Sequence, residues 1–363
     1  MGELRLPAVG EKIVIVVSSP PYQGEYQVKV LASNRDHLLV TMPLRGQGLI
    51  VPLASGERVS VKYSGGNYRS QVLSRKFGQI HSIELTAPGA ISLRGRETAS
   101  GARFIAVTSG KGGVGKSTLA VNLALSLVGL GLKVCLVDVD LGTANLDLLL
   151  GITVPADLGD LLEGKSLEEV LVPVTNGLTL LPGSSGMGEF ANLNNWQMSR
   201  LVTSFNQLSH AYDVVLLDTA AGVGTNVTTF LQAADQVLLV ITPDPTAISD
   251  AYALLKVARS TLEVNSTWHL IVNRATPKEA DLVHTNFCRI AFRHLGAKVT
   301  YLGVIPDSTN IANSVRRQKP FMLKGRGEEA RAFQQLAQQL SGITAEKKGF
   351  LQRFQAVWQR LNG

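Results

Sequence analysis

Apolar and polar residues alternate along the first part of the chain, up to about residue 85. The alternation is clearest in the runs KIVIVV, YQVKVLAS, HLLVTMP and RVSVKY, which are separated by segments containing Pro, Gly, Asn or Asp. A period of two is typical of β-strands that bury one face, and turn residues between such strands favour antiparallel pairing. Residues 1–85 are therefore predicted to form a small all-β barrel or sandwich.

The pattern changes after residues 86–103, a segment rich in Gly, Ala and Ser that is predicted to be a linker. Near-continuous apolar runs then alternate with longer stretches of helical periodicity. The runs are FIAVTS, KVCLVDVD, DVVLLD, QVLLVITP and HLIVNRA. Such strands are buried on both faces, as in a parallel sheet covered by helices. Residues 104–342 are therefore predicted to form an α/β domain with a parallel sheet.

The last segment, residues 343–363, is predicted to be an amphipathic helix. Its large apolar residues recur at helical spacing on one face: Phe350, Leu351, Phe354, Val357, Trp358 and Leu361. Basic residues border that face: Lys347, Lys348, Arg353 and Arg360. The helix reaches only about 20 Å, which is too short to cross a bilayer. It either packs on its own domain or lies on an anionic membrane surface.

The composition is that of a soluble globular protein, since 45% of the 363 residues are hydrophobic and 17% are charged. A formal net charge of +7 favours an anionic partner, and nucleic acid, acidic lipid and nucleotide phosphate all qualify. Cys135 and Cys288 lack CxxC spacing, so neither a disulfide framework nor a structural zinc site is expected. We expect a cytoplasmic protein.

A glycine-rich loop is the strongest chemical signal in the sequence. Gly110, Gly115, Lys116 and Ser117 satisfy the pattern GxxxxGK[ST], directly after a predicted strand and at the start of a predicted helix. The glycines let backbone N–H groups approach phosphates, whose charge is also favoured by the helix N-terminus. In such a loop Lys116 reaches the β- and γ-phosphates and Ser117 is a ligand of Mg²⁺. The predicted cofactors are ATP and Mg²⁺.

The stretch KGGVGKST contains a second lysine, Lys111, and resembles the deviant Walker A loop of the MinD/ParA family of ATPases. The resemblance implies that Lys111 is catalytic and reaches the phosphates of a partner subunit, so that two subunits enclose two ATP molecules. It also implies a slow, Mg²⁺-dependent ATPase that a partner protein stimulates. The nucleotide-binding residues implied by the loop are Gly110, Lys111, Gly112, Gly113, Val114, Gly115, Lys116, Ser117 and Thr118.

Three aspartates end two of the predicted strands, at the edge where ligands gather in parallel sheets. Under the same resemblance, Asp140 positions the attacking water, Asp138 lies close to the metal, and Asp218 is the Walker B acid that holds Mg²⁺ through water. The predicted metal site thus consists of Ser117, Asp138 and Asp218. The residues implied in adenine binding are Asn273, Arg274, Pro306 and Asp307.

Two stretches, DVDLGTANLDLLLGI and LLPGSSGMGEFANLNNWQMSRL, are similar to the flagellar FlhG/YlxH subgroup. This similarity implies control of flagellar placement or number, with an FlhF-type GTPase and C-ring proteins as partners. Residues 1–85 resemble the module that precedes PilZ in YcgR-type flagellar-brake proteins. In those proteins an RxxxR linker directly after the module and a DxSxxG motif of the following PilZ domain bind cyclic di-GMP; neither follows residues 1–85 here, although Arg94 and Arg96 echo the linker. We therefore expect a protein-interaction module.

The segment KKGFLQRF resembles the membrane-targeting sequence of MinD proteins. The expected function is an ATP-hydrolysing dimerisation switch that binds the inner face of the cell membrane peripherally in the ATP state. The helix can sit in a groove of the monomer and leave it when the dimer forms. The alternatives are a division-site MinD, a scaffold that does not hydrolyse its nucleotide, and a ParA-like DNA-partitioning ATPase. The last would use surface residues such as Arg316, Arg317 and Lys319, but nucleic acid is not the expected partner.

Overall fold

A computed structural model of the chain divides into two compact units, Met1–Ala99 and Ser100–Gly363. Arg94 and Arg96 of the predicted linker lie outside the described residues, as do Lys347, Lys348 and residues 185–191. The structure describes residues 7–17, 23–33, 37–45, 49–51, 53, 58–64, 66–76, 82–86, 101–140, 142–184, 192–260, 266–342 and 349–362.

The first unit is all β. Its strands are β1 Lys12–Val17, β2 Gly24–Ser33, β3 His37–Thr41, β4 Leu44–Arg45, β5 Leu49–Ile50, β6 Arg58–Tyr63, β7 Gly66–Lys76 and β8 Ser82–Thr86. Within the described residues, six of them close an antiparallel barrel in the order β1, β2, β3, β8, β7, β6. Alternate side chains point inward, as Ile13, Ile15 and Val17 do on β1. The predicted small barrel is confirmed.

The second unit is built on a twisted, mostly parallel sheet. Its strands are β9 Arg103–Ser109, β10 Val134–Asp138, β11 Val172–Thr175, β12 Leu178–Leu181, β13 Val214–Ala221, β14 Gln236–Ile241, β15 Thr267–Asn273 and β16 Val299–Ile305. Their order is β11, β12, β10, β13, β9, β14, β15, β16, and in the described sheet only the pair β11–β12 is antiparallel. The predicted parallel-sheet α/β fold is confirmed.

Helices cover both faces of this sheet. They are α1 Lys116–Gly129, α2 Leu146–Leu150, α3 Leu158–Glu163, α4 Leu167–Val170, α5 Asn195–Ala211, α6 Thr225–Ala233, α7 Pro245–Ser260, α8 Pro277–Leu295, α9 Thr309–Arg316, α10 Glu328–Gly342 and α11 Phe350–Asn362. Helices α1 and α10 pack on one face, and α5, α6, α7 and α8 pack on the other. Burial on both faces explains why strands such as β14 read as continuous apolar runs.

The C-terminal helix α11 packs on α5 and α6 of the same unit. Phe350 and Phe354 are at most 3% exposed, and the ring of Phe350 stacks on that of Phe104 with a centroid distance of 3.9 Å. Arg353 forms a 2.7 Å ion pair with the buried carboxylate of Asp235. Of the two environments left open by the sequence pattern, this structure therefore has the helix packed on its own domain.

The apolar face of α11 is not uniformly covered. Phe350, Phe354 and Val357 are buried, Leu351 and Trp358 are half-buried, and Leu361 is 45% exposed. No helix in the described ranges combines the length and the apolar composition that a membrane span needs.

His269, on β15, is a buried histidine whose two ring nitrogens have no hydrogen-bond partner among the described residues. Burial lowers its pKa from 6.5 to about 4. Between pH 6.5 and pH 4 the unfolded chain therefore binds a proton at His269 that the folded chain does not bind. Above pH 6.5 the histidine does not affect the free energy of unfolding, and below it that free energy decreases as pH falls. The cost at pH 5 is about 2 kcal/mol.

The unfolding free energy of the parent decreases between pH 7 and pH 5. We expect this decrease to be about 2 kcal/mol smaller in His269→Leu, because the variant has no imidazole to protonate. Chemical denaturation at the two pH values, on parent and variant, measures the difference. An equal loss in both proteins would contradict the lowered pKa.

Candidate nucleotide-binding site

The glycine-rich loop connects β9 to α1 at the carboxyl edge of the sheet. Gly113 and Gly115 have φ angles of 79° and 88°, in the left-handed region that favours glycine. Gly115 is the N-cap of α1, whose first turn contains no acidic residue. Free backbone N–H groups and the positive end of the helix dipole therefore face the loop, which is the arrangement that binds phosphate.

Two of the glycines are also required by close packing. A Cβ atom on Gly110 would lie 2.2 Å from the carbonyl carbon of Asp250, in the second turn of α7. A Cβ atom on Gly115 would lie 2.4 Å from the side-chain nitrogen of Asn273. That nitrogen donates a 2.7 Å hydrogen bond to the carbonyl oxygen of Val114, so Asn273 holds the loop from behind.

Lys116 forms a buried ion pair with Asp218, and the two charged atoms are 2.7 Å apart. The ammonium group also donates to the Ser117 hydroxyl at 3.2 Å. Burial raises the pKa of Asp218, and the charge of Lys116 partly offsets that rise. The pair places one cation, one hydroxyl and one carboxylate side by side beneath the loop.

Asp138 holds the loop that follows β10. Its carboxylate accepts hydrogen bonds from the backbone N–H groups of Asp140, Asn145 and Leu146, at 3.0 to 3.2 Å. Burial, with the nearby charge of Asp218, raises the pKa of Asp138 to about 7, although the three N–H groups oppose the rise. Asp138 is a predicted metal ligand, but in this structure both of its carboxylate oxygens accept hydrogen bonds from backbone N–H groups.

Asp140 lies within the same loop but faces the cavity. One of its oxygens accepts from the backbone N–H groups of Gly142 and Thr143, and the other accepts from the Thr143 hydroxyl at 3.1 Å. These bonds fix the carboxylate at the wall of the cavity that the glycine-rich loop also lines. A carboxylate in that place can orient a water molecule toward a bound phosphate.

Two adjacent cavities, of about 700 and 380 Å³, open at this edge and share Gly115, Thr118, Arg274 and Val315. Their sizes fall in the range of small-molecule sites. The larger cavity is lined by Gly112, Gly113, Gly115, Lys116, Ser117, Thr118, Asp140 and Arg274 among the predicted residues. The smaller one is lined by Gly115, Thr118, Asn273, Arg274, Pro306 and Asp307. The larger cavity has the groups that bind phosphates, and the smaller cavity suits a nucleotide base.

Lys111 lies outside both cavities. Its ammonium group pairs with Asp244 at 3.0 Å and donates to the Thr246 hydroxyl, both at the start of α7. The Lys111 side chain is 40% exposed. The hydrogen bond from Lys111 is the main reason why the pKa of Asp244 falls to about 2, and bonds from Thr246 contribute. Lys111 is therefore directed away from the phosphate loop of its own subunit.

Several residues that line the larger cavity are not among the site residues predicted from the sequence. Thr143, Leu148, Leu149 and Gln318 also line the larger cavity. Gln318 follows α9 and has a φ angle of 52°, a value that is rare outside glycine. Arg274, with a φ angle of 53°, shares this strained conformation, so two cavity residues are held in place by the surrounding fold.

The residues present fit Mg²⁺. The ion prefers oxygen ligands and keeps several waters, so it is usually held by one or two protein oxygens and by substrate phosphates. The Ser117 hydroxyl and the Asp218 carboxylate, both beside Lys116, supply such oxygens. In the part of the chain that the structure describes, no cluster of three or more His, Cys, Asp and Glu residues can hold a metal by itself.

Comparison with known proteins agrees with this geometry. The family model for an AAA domain matches residues 102–268, and that for the flagellar protein YcgR matches residues 8–88. The chain is 37% identical to the antiactivator FleN of Pseudomonas aeruginosa, over 69% of this chain and 91% of FleN. It is 35% identical to the flagellum site-determining protein YlxH of Helicobacter pylori, over 68% of this chain and 82% of YlxH.

A solved structure shows the same fold with a nucleotide. The septum site-determining protein MinD of Pyrococcus horikoshii OT3, in complex with Mg-ADP, is 26% identical to the chain. It superimposes with a TM-score of 0.53, over 68% of this chain and 99% of MinD. The parallel sheet and the loop of the second unit are thus those of a nucleotide-binding protein.

Proposed function

The chain belongs to the MinD/ParA family of ATPases, in the flagellar subgroup of FleN and YlxH, and from this premise we propose that it is an ATP-driven dimerisation switch at the membrane. It is an ATPase that controls flagellar number or placement. The observation that carries the proposal is the position of Lys111, which is exposed beside the cavity and directed away from its own phosphate loop.

In the proposed site each residue has one task. Lys116 leaves Asp218 to bind the β- and γ-phosphates of ATP, while the N–H groups of the loop hold the remaining oxygens. Ser117 and Asp218 would hold Mg²⁺, and the bound ion would supply charge neutralisation at the phosphates. Asp140 orients the attacking water, and Asp138 keeps the Asp140 loop in place through its three backbone hydrogen bonds.

Dimerisation completes the site. A lysine that lies outside its own cavity can approach the phosphates of a second subunit, where its charge stabilises the transferred phosphoryl group in trans. To do so, Lys111 must first leave Asp244 and Thr246. The contact with α7 therefore competes with dimerisation in the proposed cycle.

We expect Asp244→Asn to raise the population of the ATP-bound dimer by about threefold at a fixed protein concentration, since an exposed ion pair that holds Lys111 in the monomer is weakened. Light scattering in Mg-ATP and in Mg-ADP measures the dimer fraction. Asp281→Asn, which removes another exposed carboxylate, on α8, is the control. A dimer fraction that is equal in parent and Asp244→Asn, or lower in the variant, would contradict the competition.

The helix α11 is the proposed membrane contact. Its docked position leaves Leu361 exposed and Leu351 and Trp358 half-buried, so the docked helix presents only part of its apolar face. We propose that the dimer releases the helix and that two released helices bind an anionic surface together. One short helix binds weakly, whereas two on one particle gain from their effective concentration.

The flagellar role is supported by the two units together. The relative YlxH is named a flagellum site-determining protein, and the barrel of the first unit matches the family described as flagellar protein YcgR. We propose that the barrel binds a flagellar protein and that an FlhF-type GTPase or a C-ring protein is the partner of the switch. Counting flagella on cells whose own copy carries Lys111→Ala tests this role, and an unchanged number and position would contradict it.

A further inference from the structure

The outward face of α8 carries a concentration of exposed apolar and basic side chains. Leu282, Phe292 and Ile290 are 66%, 68% and 43% exposed. Three large exposed apolar residues on a single helix exceed the isolated exposed residues that are normal on a protein surface, and such concentrations mark interaction sites. Three of the eleven large hydrophobic residues that are exposed among the described residues lie on this helix.

Helical geometry spreads these residues over the outward half of α8. The inward side is formed by Ala280, Val283, Phe287 and Ala291, which pack in the core against the sheet. At 100° per residue, Leu282 lies opposite that side, with Phe292 and Ile290 on its two flanks. Leu282 and Phe292 are separated by about 15 Å along the axis.

Basic residues lie between these apolar ones. Lys278, Arg289 and Arg293 are exposed and have no carboxylate partner among the described residues, although Arg289 donates a hydrogen bond to Asn286. The acidic residues of α8 lie in its first two turns. Glu279 closes the N-terminal capping box of α8 with Thr276, and Asp281 is 74% exposed and lies 3.9 Å from His284. The C-terminal half of the outward face, around Arg289 and Arg293, therefore has a positive charge that no carboxylate of α8 compensates.

The helix that presents this face is well defined. Its N-terminus has Pro277 and a complete capping box, and its C-terminus ends at Gly296 in the left-handed conformation. The ring of His284 stacks on that of Tyr301 of β16 at a centroid distance of 4.2 Å, which fixes α8 to the edge of the sheet. A partner would meet a preformed surface and would lose little free energy in ordering it.

We infer that the outward face of α8 docks an acidic amphipathic helix of a partner protein. The partner would place large apolar side chains against Leu282 and Phe292, about three helical turns apart, and carboxylates against Arg289 and Arg293. Phe and Arg are the residue types that are enriched in protein interfaces. The face lies on α8, whereas the nucleotide cavities are lined by α1, α2, α9 and α10 and by loops at the carboxyl edge of the sheet.

Two other occupants fit the face less well. A second copy of the chain would bring the same three basic residues together, and like charges at an interface are unfavourable. A membrane binds helices that insert one continuous apolar face. The continuous apolar face of α8 is already buried on the sheet, and basic side chains interrupt the outer one.

The probe is a fluorescent helical peptide of about 16 residues with leucine at every third or fourth position and glutamate at most others. A matched peptide has lysine in place of glutamate. Anisotropy titrations use the full chain and the variants Phe292→Ser, Leu282→Ser and the double variant Arg289→Glu/Arg293→Glu. Trp196→Ser, which removes a 53% exposed aromatic residue from α5, is the control. Unchanged melting and ATP hydrolysis verify that each variant is folded.

We expect the parent to bind the glutamate peptide at least tenfold more tightly than the lysine peptide. Phe292→Ser and Leu282→Ser should each weaken the complex about tenfold, the double variant should reverse the preference, and Trp196→Ser should match the parent. Equal binding of both peptides by the parent, or titrations that none of the α8 variants alters, would overturn the inference. The same holds if Phe292→Ser abolishes pelleting of the full chain with anionic vesicles, since a membrane would then be the occupant.

Discussion

Replacement of Lys111 by alanine is expected to leave nucleotide binding intact while ATP-dependent dimerisation is lost and hydrolysis falls at least 100-fold, about the effect of losing a charge supplied in trans. Binding persists because Lys111 lines neither cavity of its own subunit, whereas Lys116, Ser117 and the loop glycines do line one. Turnover falls because the second subunit no longer receives the cation that stabilises its transferring phosphoryl group.

Three measurements separate these effects. Titration with a fluorescent ATP analogue gives affinity, light scattering in Mg-ATP gives the mass of the particle, and phosphate release gives turnover. Lys256→Ala removes another exposed lysine, on α7, and should behave as the parent. A Lys111→Ala protein that still dimerises and hydrolyses ATP at the parent rate would show that this lysine acts only within its own subunit.

Replacement of Arg353 by methionine is expected to free α11 and to make vesicle binding independent of ATP. The guanidinium group pairs with Asp235, whose side chain is only 2% exposed, and also donates to the carbonyl oxygen of Ala233 at the end of α6. Removing one partner of such a pair leaves a buried charge. Because Arg353 is itself 19% exposed, we expect a cost of about 2 kcal/mol, which shifts the docking equilibrium about 30-fold toward the released helix.

The control is Arg360→Met, which removes the same charge from an exposed position of the same helix. Co-sedimentation with anionic vesicles in Mg-ADP should pellet Arg353→Met and leave both Arg360→Met and the parent in the supernatant. If Arg353→Met lowers the melting temperature but still needs ATP to pellet, then the ion pair is a structural contact and does not control release.

The loop and the sheet were predictable because each rests on local patterns. Gly110 to Ser117 lie between a continuous apolar strand and a helix, and in an α/β fold that order places the loop at the carboxyl edge of the sheet. The expectation that an aspartate ends each of two strands holds for Asp138, the last residue of β10, whereas β13 continues past Asp218 to Ala221. The two aspartates still lie side by side, because β10 and β13 are parallel and pair in register with Asp138 opposite Asp218.

The contacts that hold the resting state were not predictable. Lys111 pairs with Asp244, 133 positions away in the sequence, and Arg353 pairs with Asp235, 118 positions away. A pattern of residues shows that such groups are charged, but not which opposite charge the fold brings to them. The periodicity of α11 likewise shows an apolar face without showing what covers it, so only the structure reveals the groove that Phe354 fills.

The sequence pattern of the barrel predicts its fold and does not predict what it binds. Alternation along β1 and β6 predicts a closed β fold, and the register that pairs Ile15 with both Tyr26 and Val61 completes it. Alternation and register identify the core of the barrel and do not identify a ligand or a partner. The binding role of the barrel therefore rests on its similarity to the YcgR family.

The most direct test of the switch is co-sedimentation of the full chain with anionic and with neutral vesicles, in Mg-ATP, in Mg-ADP and without nucleotide. The full chain is needed because a chain that ends before α11 would expose Phe104, Phe205 and Phe230, which Phe350 and Phe354 cover. We expect pelleting with anionic vesicles only in Mg-ATP, and a loss of that pelleting in Leu361→Glu, a variant altered at an exposed position of α11. A protein that stays in the supernatant in every state, or that pellets equally in all of them, would contradict a membrane switch driven by ATP.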